Sequence, residues 1–325
     1  MSERKSQSAV VLGASGFIGT RLVRRLAEAG NSVTAVDIAS PREQMNGVTY
    51  VTADVRQPLA AELGAGAAAI YNLAAVHRTP GHPANEYYET NVLGASHVAA
   101  LAEACEIPLI VFTSSISVYG PTEKVCTEAS APAPTSDYGR SKLMAEKIHQ
   151  MWRKAGPGRR LVTVRPGVVF GPGEGGNYTT LARALRRGLF VYPGRRDTVK
   201  SGGHVDELLR CLEFAVARDE PEILFNFAFP QESTMADIVE AFGRVTGRSR
   251  RPMTAPLAPL LLIASLFEVA ATAGLKTPIH RERVMKLVHS TRITPKWLLA
   301  NGYDFELDLM SSLEIWAQET NGRFD

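Results

Sequence analysis

Cysteine is scarce in this chain of 325 residues. Its three cysteines, Cys105, Cys126 and Cys211, are an odd number and form no CxxC pair. A disulfide framework and a structural zinc site both need more cysteines at closer spacing. We therefore expect no disulfides and no metal site, and the count is typical of a reducing compartment such as the cytoplasm.

An excess of charge of one sign is also missing. Lys and Arg number 36, and Asp and Glu 33, so the net charge is +3. The short basic pairs are scattered, which argues against a nucleic-acid partner. With 45% apolar and 21% charged residues, the chain has the composition of a globular protein, and its length fits one large or two modest domains.

Long apolar runs are rare, and the single notable one covers residues 257–273. It is near the lower length limit for a membrane span and contains Pro259 and Glu268. We favour a buried or half-buried helix, with a contact at a membrane surface and a span as alternatives. The polar start of the chain, MSERKSQS, does not resemble a signal peptide.

Short β-branched runs alternate with helical patterns in the first half. The predicted strands are 9–12, 32–36, 48–52, 68–72, 109–113 and 161–164, and the predicted helices are 17–29, 86–106 and 136–154. Strands that alternate with helices indicate βαβ units, so we predict an α/β fold with a doubly wound parallel sheet.

The pattern becomes mostly helical after residue 170. Helices are predicted at 178–187, 206–217, 234–245, 257–273, 281–287 and 309–318. We therefore predict a first lobe at 1–170 and a smaller, mostly helical substrate lobe at 171–325. A strand at Glu222–Phe227 could rejoin the sheet of the first lobe.

A glycine triplet stands at the first strand–helix turn, in VVLGASGFIGTRL. Gly13 allows the tight turn, Gly16 allows the backbone to approach a pyrophosphate, and Gly19 allows the helix to pack on the strand. Asp37 ends the next strand, 18 residues after Gly19. Its carboxylate would bind ribose hydroxyls and repel a 2′-phosphate, which favours NAD over NADP.

Two residues near the second and third strands qualify this interpretation. Arg42 lies close to Asp37 and could weaken the preference for NAD. Asp54 follows the third strand and could accept a hydrogen bond from the adenine amine, or could instead be a helix N-cap.

Tyr138 and Lys142 lie one helical turn apart in YGRSK, so their side chains share a face. Ser115 follows the strand at 109–113, where a parallel strand delivers its carboxyl end to a cofactor crevice. A free tyrosine has a pKa near 10, and we expect the Lys142 ammonium and a positive nicotinamide to lower it. The set therefore predicts proton transfer at a hydroxyl or carbonyl, coupled to hydride transfer.

These motifs together resemble one family. In order they are Gly13-xx-Gly16-Phe17-Ile18-Gly19, Asn72-Leu73-Ala74-Ala75, Ser114-Ser115-Ile116-Ser117-Val118-Tyr119-Gly120, Tyr138-xxx-Lys142 and Arg165-Pro166. The chain resembles the nucleotide-sugar epimerase/dehydratase branch of the extended short-chain dehydrogenases/reductases. The resemblance implies a Rossmann domain that binds NAD, a nucleoside-diphosphate sugar with a UDP-sugar as first candidate, and a homodimer formed by the helices at 86–106 and 136–154.

The resemblance also implies roles for individual residues. Ser115, Tyr138 and Lys142 match the catalytic triad. Cofactor contacts are expected from Gly13, Ser15, Gly16, Phe17, Ile18, Asp37, Ile38, Asp54, Val55, Leu73, Ala74, Ala75, Asn91, Tyr138, Lys142, Pro166 and Val168. Substrate contacts are expected from His77, Arg78, Ser117, Asn177, Lys200 and Arg283, although His77 and Arg78 could also be a solvent-exposed loop pair.

Two positions depart from the family pattern. Lys200 stands where relatives usually have an arginine, and Val168 stands where some carry a substrate-binding asparagine. A lysine neutralises a phosphate but lacks the bidentate fork of arginine. The sequence therefore leaves the diphosphate contacts and the sugar open.

The leading hypothesis is oxidation and reduction at C4 of a nucleoside-diphosphate sugar, as in a 4-epimerase, with Tyr138 as acid and base. A 4-keto-sugar reductase, a 3β-hydroxysteroid-type dehydrogenase and a non-catalytic dinucleotide-binding scaffold are the alternatives. Ser115 is followed by Ile116 and Ser117, where relatives that dehydrate carry a carboxylate pair. We therefore expect no loss of water.

Overall fold

The structure is a computed structural model that describes residues 7–78, 81–247, 252–272 and 281–325, without the side chains at 269–272 and 282–283. The strands are β1 Ser8–Leu12, β2 Ser32–Asp37, β3 Val48–Thr52, β4 Ala69–Asn72, β5 Leu109–Thr113, β6 Thr122–Cys126, β7 Arg160–Pro166, β8 Val168–Phe170, β9 Tyr192–Pro193, β10 Gly202–His204, β11 Glu222–Phe227, β12 Thr254–Ala255 and β13 Thr291–Ile293. The helices are α1 Phe17–Glu28, α2 Ala84–Tyr88, α3 Gly94–Ala104, α4 Asp137–Lys154, α5 Asn177–Arg187, α6 Val205–Val216, α7 Met235–Thr246, α8 Leu257–Thr272, α9 Arg281–Val288, α10 Lys296–Ala300 and α11 Leu309–Glu319.

Seven strands form one parallel sheet in the order β11-β7-β5-β4-β1-β2-β3. The strand order reverses between β1 and β4, and this reversal opens a crevice at the carboxyl edge. Gly13, Asp54, Leu73, Ser115 and Val168 each stand within two residues after a sheet strand. The predicted doubly wound parallel sheet is confirmed.

Each face of the sheet is covered by helices. Apolar residues of α1 and α6, such as Leu22 and Leu208, pack on one face. Residues of α3 and α4, such as Val98 and Trp152, pack on the other face. Because both faces are buried, the strands are continuous apolar runs, such as Val10–Leu12 within β1, and do not alternate with polar residues.

The chain returns to this sheet after residue 170. The strand β11 pairs in parallel with β7, and α6 packs in the same core cluster as β1 and β2. Residues of the predicted substrate lobe therefore build part of the nucleotide-binding layer. The remaining part of that lobe has its own core of aromatic rings, among them Tyr178, Phe242 and Trp316, and Phe170 at its boundary stacks on Tyr178.

The apolar run forms α8, and the prediction of a buried or half-buried helix holds in its half-buried form. Ala264 is fully buried, whereas Leu262 and Leu266 are 63% and 64% exposed. Among the described residues, no helix is long and apolar enough to cross a membrane.

Candidate active site

The glycine turn after β1 is shaped by close backbone contacts. Gly13 has a φ of +78°, and a Cβ there would lie 2.7 Å from the Ala74 amide nitrogen. A Cβ on Gly19 would collide with the Gly13 carbonyl oxygen. Helix α1 begins directly after Gly16, which has no side chain to cap the helix, so the first amides of α1 lack an intrahelical acceptor. This is the geometry of a pyrophosphate site. Phe17 and Ile18 form the first turn of α1.

Asp37 ends β2 beside this turn. Its carboxylate accepts hydrogen bonds from the Ser15 amide at 2.9 Å and from the Ala39 amide at 3.0 Å. Ile38 next to it is largely exposed, as an apolar cover for an adenine ring would be. Arg42 donates to the carbonyl oxygens of Ser15 and Gly173, both at 3.0 Å. The guanidinium of Arg42 is therefore bound by the backbone beside the ribose position.

Asp54 and Val55 follow β3. The Asp54 carboxylate accepts from the side chain of Arg56 at 2.6 Å and from its amide at 2.9 Å, and the side-chain hydrogen bond holds the pKa of Asp54 below its usual range. Asp54 thus caps a turn and not a helix. Val55 is buried, and its carbonyl oxygen accepts from His97 at 2.8 Å.

Asn91 fixes the loop that follows β4, the loop of Leu73, Ala74 and Ala75. Its amide oxygen accepts from the Val76 amide, and its amide nitrogen donates to the Val76 carbonyl oxygen, both at 3.1 Å. It also donates to the Ser141 hydroxyl on α4 at 2.9 Å. Asn91 lies in a π-helical turn, Glu89–Leu93, which interrupts the long helix that the sequence predicts. Such turns are frequent at functional sites.

Ser115, Ser117 and Tyr138 come together at the carboxyl end of β5. The Ser115 hydroxyl accepts from the Ser117 amide and donates to the Ser117 hydroxyl, both at 3.1 Å. The Ser115 side chain also favours the ionised form of Tyr138 and so acts to lower its pKa. A Cβ on Gly139 would collide with the Ser117 carbonyl oxygen, so the start of α4 rests directly on the serine turn. The sequence analysis did not single out Gly139.

The protonation of this set differs from the expectation. Burial raises the pKa of Tyr138 above its ordinary value, and the Ser115 side chain lowers it only in part. Burial also lowers the pKa of Lys142 to about 7, although the Glu146 carboxylate raises it. The predicted lowering of the Tyr138 pKa by Lys142 is therefore wrong for the protein alone, because Lys142 loses much of its own charge near neutral pH.

A buried ion pair anchors α4, and the sequence analysis missed its acidic member. Glu146 on α4 accepts from Arg165 on β7 at 2.9 and 2.6 Å, and from the Ser114 hydroxyl. Arg165 also donates to the Tyr119 hydroxyl at 2.8 Å. Glu146 lies one turn beyond Lys142, so the spacing Tyr138, Lys142, Glu146 was the signal that could have found it.

His149 continues this polar stripe on α4. Its Nε2 lies 3.1 Å from the amide nitrogen of Asn72, at the end of β4. Burial lowers the pKa of His149 to about 3, so the ring is neutral. Asn72 and His149 therefore fix α4 to β4 without a charge.

The predicted substrate residues are spread around the crevice. His77 and Arg78 are exposed after β4, and Asn177 is exposed at the start of α5. The Lys200 ammonium donates to the carbonyl oxygens of Lys286 and His289, near the end of α9. The side chain of Arg283 lies outside the described residues, so its role stays a prediction.

Pro166 and Val168 line the crevice from the side of β7. Pro166 ends this strand and is buried, and Val168 begins β8, which pairs in parallel with β10. The Gly-rich loop after β8 is held by Glu174, whose carboxylate accepts from the amides of Tyr178 and Thr179 at the start of α5.

The residues present fit NAD. The uncapped start of α1, the close approach allowed by Gly13 and the carboxylate of Asp37 provide contacts for a pyrophosphate and a ribose. Within the described residues, no group of three His, Cys, Asp or Glu side chains could hold a metal ion.

Comparison with known proteins agrees with this site. Residues 9–227 match the model of the NAD-dependent epimerase/dehydratase family. The chain is 27% identical over 315 residues to an N-acetyl-alpha-D-glucosaminyl-diphospho-ditrans,octacis-undecaprenol 4-epimerase of Escherichia coli O157:H7, with 92% of this chain and 94% of that protein covered. It is 27% identical over 233 residues to a UDP-glucose 4-epimerase of Vibrio cholerae, with 67% and 70% covered.

Solved structures show the same fold. The structure of MoeE5 in complex with UDP-glucuronic acid and NAD superposes with a TM-score of 0.76 at 23% identity, and the match covers 97% of this chain and 99% of that one. The family match covers most of the chain, including the glycine turn and the Ser115, Tyr138 and Lys142 set. This protein is therefore an enzyme of the NAD-dependent epimerase/dehydratase family.

Proposed function

We propose that this protein catalyses NAD-dependent epimerisation at C4 of a sugar held through a diphosphate, with a UDP-sugar as the first substrate to test. The side chains that meet at the carboxyl end of β5 carry the proposal. Ser115 donates to Ser117 at 3.1 Å, and the start of α4, which bears Tyr138, rests on the same serine turn. Two hydroxyls can share one substrate oxygen, one donating and one accepting.

Tyr138 is the group that exchanges a proton with the sugar oxygen. Its raised pKa makes it a protonated acid at neutral pH, which suits the return of a proton to a keto oxygen. Acting as a base requires a positive charge nearby, and Lys142 supplies it only in its protonated form. Bound NAD would supply a hydride acceptor and a further positive charge.

Ser115 orients the substrate oxygen and Asn91 keeps the neighbouring loop in place. The bonds from Asn91 to Val76 and Ser141 tie that loop to α4, the helix that carries Tyr138. A 4-keto-sugar reductase would use the same groups once, without returning the hydride. Asp37 favours NAD, which suits a cofactor that is regenerated within one reaction.

The test is turnover on a panel of UDP-hexoses and UDP-N-acetylhexosamines in deuterium oxide, followed by NMR. We expect interconversion of C4 epimers with no deuterium bound to any sugar carbon, since the same hydride returns to C4. Deuterium at C5 or a product that has lost water would replace this proposal with a dehydratase. A stoichiometric need for NADH would favour the reductase.

The matched variants are Tyr138→Phe and Tyr88→Phe. Tyr138→Phe should lower turnover by roughly 10²–10⁴-fold while NAD binding stays unchanged. Tyr88 donates to Asp137 on the outer side of the same helix, so Tyr88→Phe should keep turnover. Equal activity of the two variants would identify another residue as the base.

A second candidate keeps the chemistry and changes the carrier. The match to the E. coli protein covers almost the full length of both chains. By its name, that protein acts on a sugar linked through a diphosphate to undecaprenol. The exposed apolar side of α8 favours this candidate. A lipid-linked sugar belongs in the same panel, and exclusive turnover of it would select this carrier.

We also propose a homodimer through the helical segment at 86–106 and through α4, where Leu93, Met144 and Met151 are exposed. Sedimentation of the purified protein tests it, and a monomer at all concentrations would contradict it.

A further inference from the structure

Helix α8 exposes an unbroken apolar stripe. The exposed residues of its first three turns are Ala258, Pro259, Leu262, Ile263, Leu266 and Phe267. They follow two i, i+4 rows, which form one face of a helix. A surface helix of a water-soluble protein normally places polar residues on this face. We call these six residues the α8 stripe.

The opposite side of α8 is also apolar and is occupied by the protein. Ala264 is fully buried, and Leu257 lies against Gly194 beside β9. Glu268 accepts from the Arg281 amide at the start of α9. The helix is therefore fixed by one apolar face and presents a second one outwards.

Positive charge is concentrated around this helix in the sequence. Residues 244–296 contain ten Lys and Arg against two acidic residues, Glu268 and Glu282. The segment thus carries a formal net charge of +8, whereas the whole chain carries +3 and the remainder −5. Two of these charges are balanced from outside the segment, because Arg244 pairs with Glu240 and Arg292 pairs with Glu232. Arg281 and Lys286 of the adjacent helix α9 are exposed.

Apolar side chains beside basic ones fit the interface of an anionic bilayer. Apolar residues enter the boundary between headgroups and acyl chains, and each nearby basic residue adds attraction to anionic lipid. The helix has 16 residues, so it is about 24 Å long and shorter than the roughly 30 Å hydrocarbon core. A position in the plane of the interface is therefore the one that its length allows.

A second copy of the chain fits the stripe less well. Two copies would bring two segments of charge +8 together, which costs electrostatic free energy. Six side chains on one helix also fall short of the roughly 800 Å² per partner that a stable interface buries.

We propose that the α8 stripe docks this protein on the surface of an anionic lipid bilayer, without crossing it. Docking is a property of the substrate lobe and does not depend on which sugar is converted. It would hold the crevice close to lipid-linked substrates.

The test is co-sedimentation of the full-length protein with vesicles of phosphatidylcholine and phosphatidylglycerol in a ratio of about three to one, against vesicles of phosphatidylcholine alone. We expect binding to the anionic vesicles that weakens as salt rises. The double variant Leu262→Ser/Leu266→Ser should lose at least about tenfold in affinity, because both leucines enter the interface. The control Val125→Ser/Leu299→Ser removes two exposed apolar residues that lie outside both α8 and the proposed dimer interface, and it should bind as the parent does.

Two outcomes would count against docking. Absence of binding by the parent, or equal binding by both double variants, would overturn it. A dimer that dissociates in Leu262→Ser/Leu266→Ser, without vesicle binding by the parent, would assign the stripe to a second copy. Circular dichroism and NAD binding check that the variants fold. Vesicle binding without any sugar turnover would leave docking intact and would refute the proposed function alone.

Discussion

Replacing Glu146 by Gln should destabilise the protein far more than an ordinary change in an ion pair. Glu146 and Arg165 have side chains only 4% and 5% exposed and are joined by two hydrogen bonds. Burial alone would lower the pKa of Arg165, but the hydrogen bonds and the charge of Glu146 outweigh this effect and raise the pKa above its ordinary value. The guanidinium therefore stays charged. Without its partner, this charge cannot be relieved by loss of a proton.

Breaking a buried pair by removing one partner costs about 3–5 kcal/mol. That is a large part of the roughly 5–15 kcal/mol by which a typical protein is stable. Glu222 provides the matched control, since it pairs with Arg153 of the same helix α4 at 2.7 Å, with both side chains 26% exposed. Glu222→Gln should cost about 0–1 kcal/mol because water screens that pair.

Urea unfolding followed by tryptophan fluorescence measures both variants, and the transition has to be single for the free energies to be compared. Equal losses for Glu146→Gln and Glu222→Gln would refute the reasoning. If Glu146→Gln does not fold, Glu146→Leu/Arg165→Met decides, because removing both charges should recover most of the loss. If the double variant is no more stable to unfolding than Glu146→Gln, the unpaired charge of Arg165 is not the cause of the destabilisation.

The other predictions concern cofactor choice and proton binding. Asp37→Asn removes the charge and keeps an acceptor for one of the two loop amides, so the preference for NAD over NADP should shrink by about tenfold in calorimetry. Tighter binding of NADP by the parent would contradict this. The pKa of Lys142 is lowered from 10.5 to about 7, so between these pH values the unfolded chain binds a proton that the native protein lacks. The unfolding free energy of the parent relative to Lys142→Met should therefore rise with pH across that window, and parallel pH profiles would contradict it.

The sheet was predictable because its signals are local. Continuous β-branched runs separated by helical patterns placed β3, β5 and β11 at their observed bounds. The short strands were not predictable, since β13 pairs with β6 across more than 160 residues. Two or three residues carry no periodicity that distinguishes a strand from a loop.

The interruption of the predicted helix at 86–106 has a similar cause. The apolar pattern of the segment continues without a break across the interruption. The π-helical turn Glu89–Leu93 lengthens the hydrogen-bonded ring by one residue, and this leaves no mark on the amino-acid composition. The bonds from Asn91 to Val76 and Ser141 hold the turn open. Only the fold brings those partners together.

The predicted catalytic side chains and the predicted substrate contacts differ in how far apart in the chain the interacting residues lie. Tyr138, Lys142 and Glu146 occupy one face of one helix, so spacing alone aligns them. Lys200 was assigned to a diphosphate by its position, yet its ammonium meets the carbonyl oxygens of Lys286 and His289. Burial lowers the pKa of Lys200 to about 8, so its charge depends on the same surroundings. Because these acceptors come from a segment more than 80 residues away, the contacts of Lys200 could not be predicted from its position in the sequence, whereas the alignment of Tyr138, Lys142 and Glu146 could.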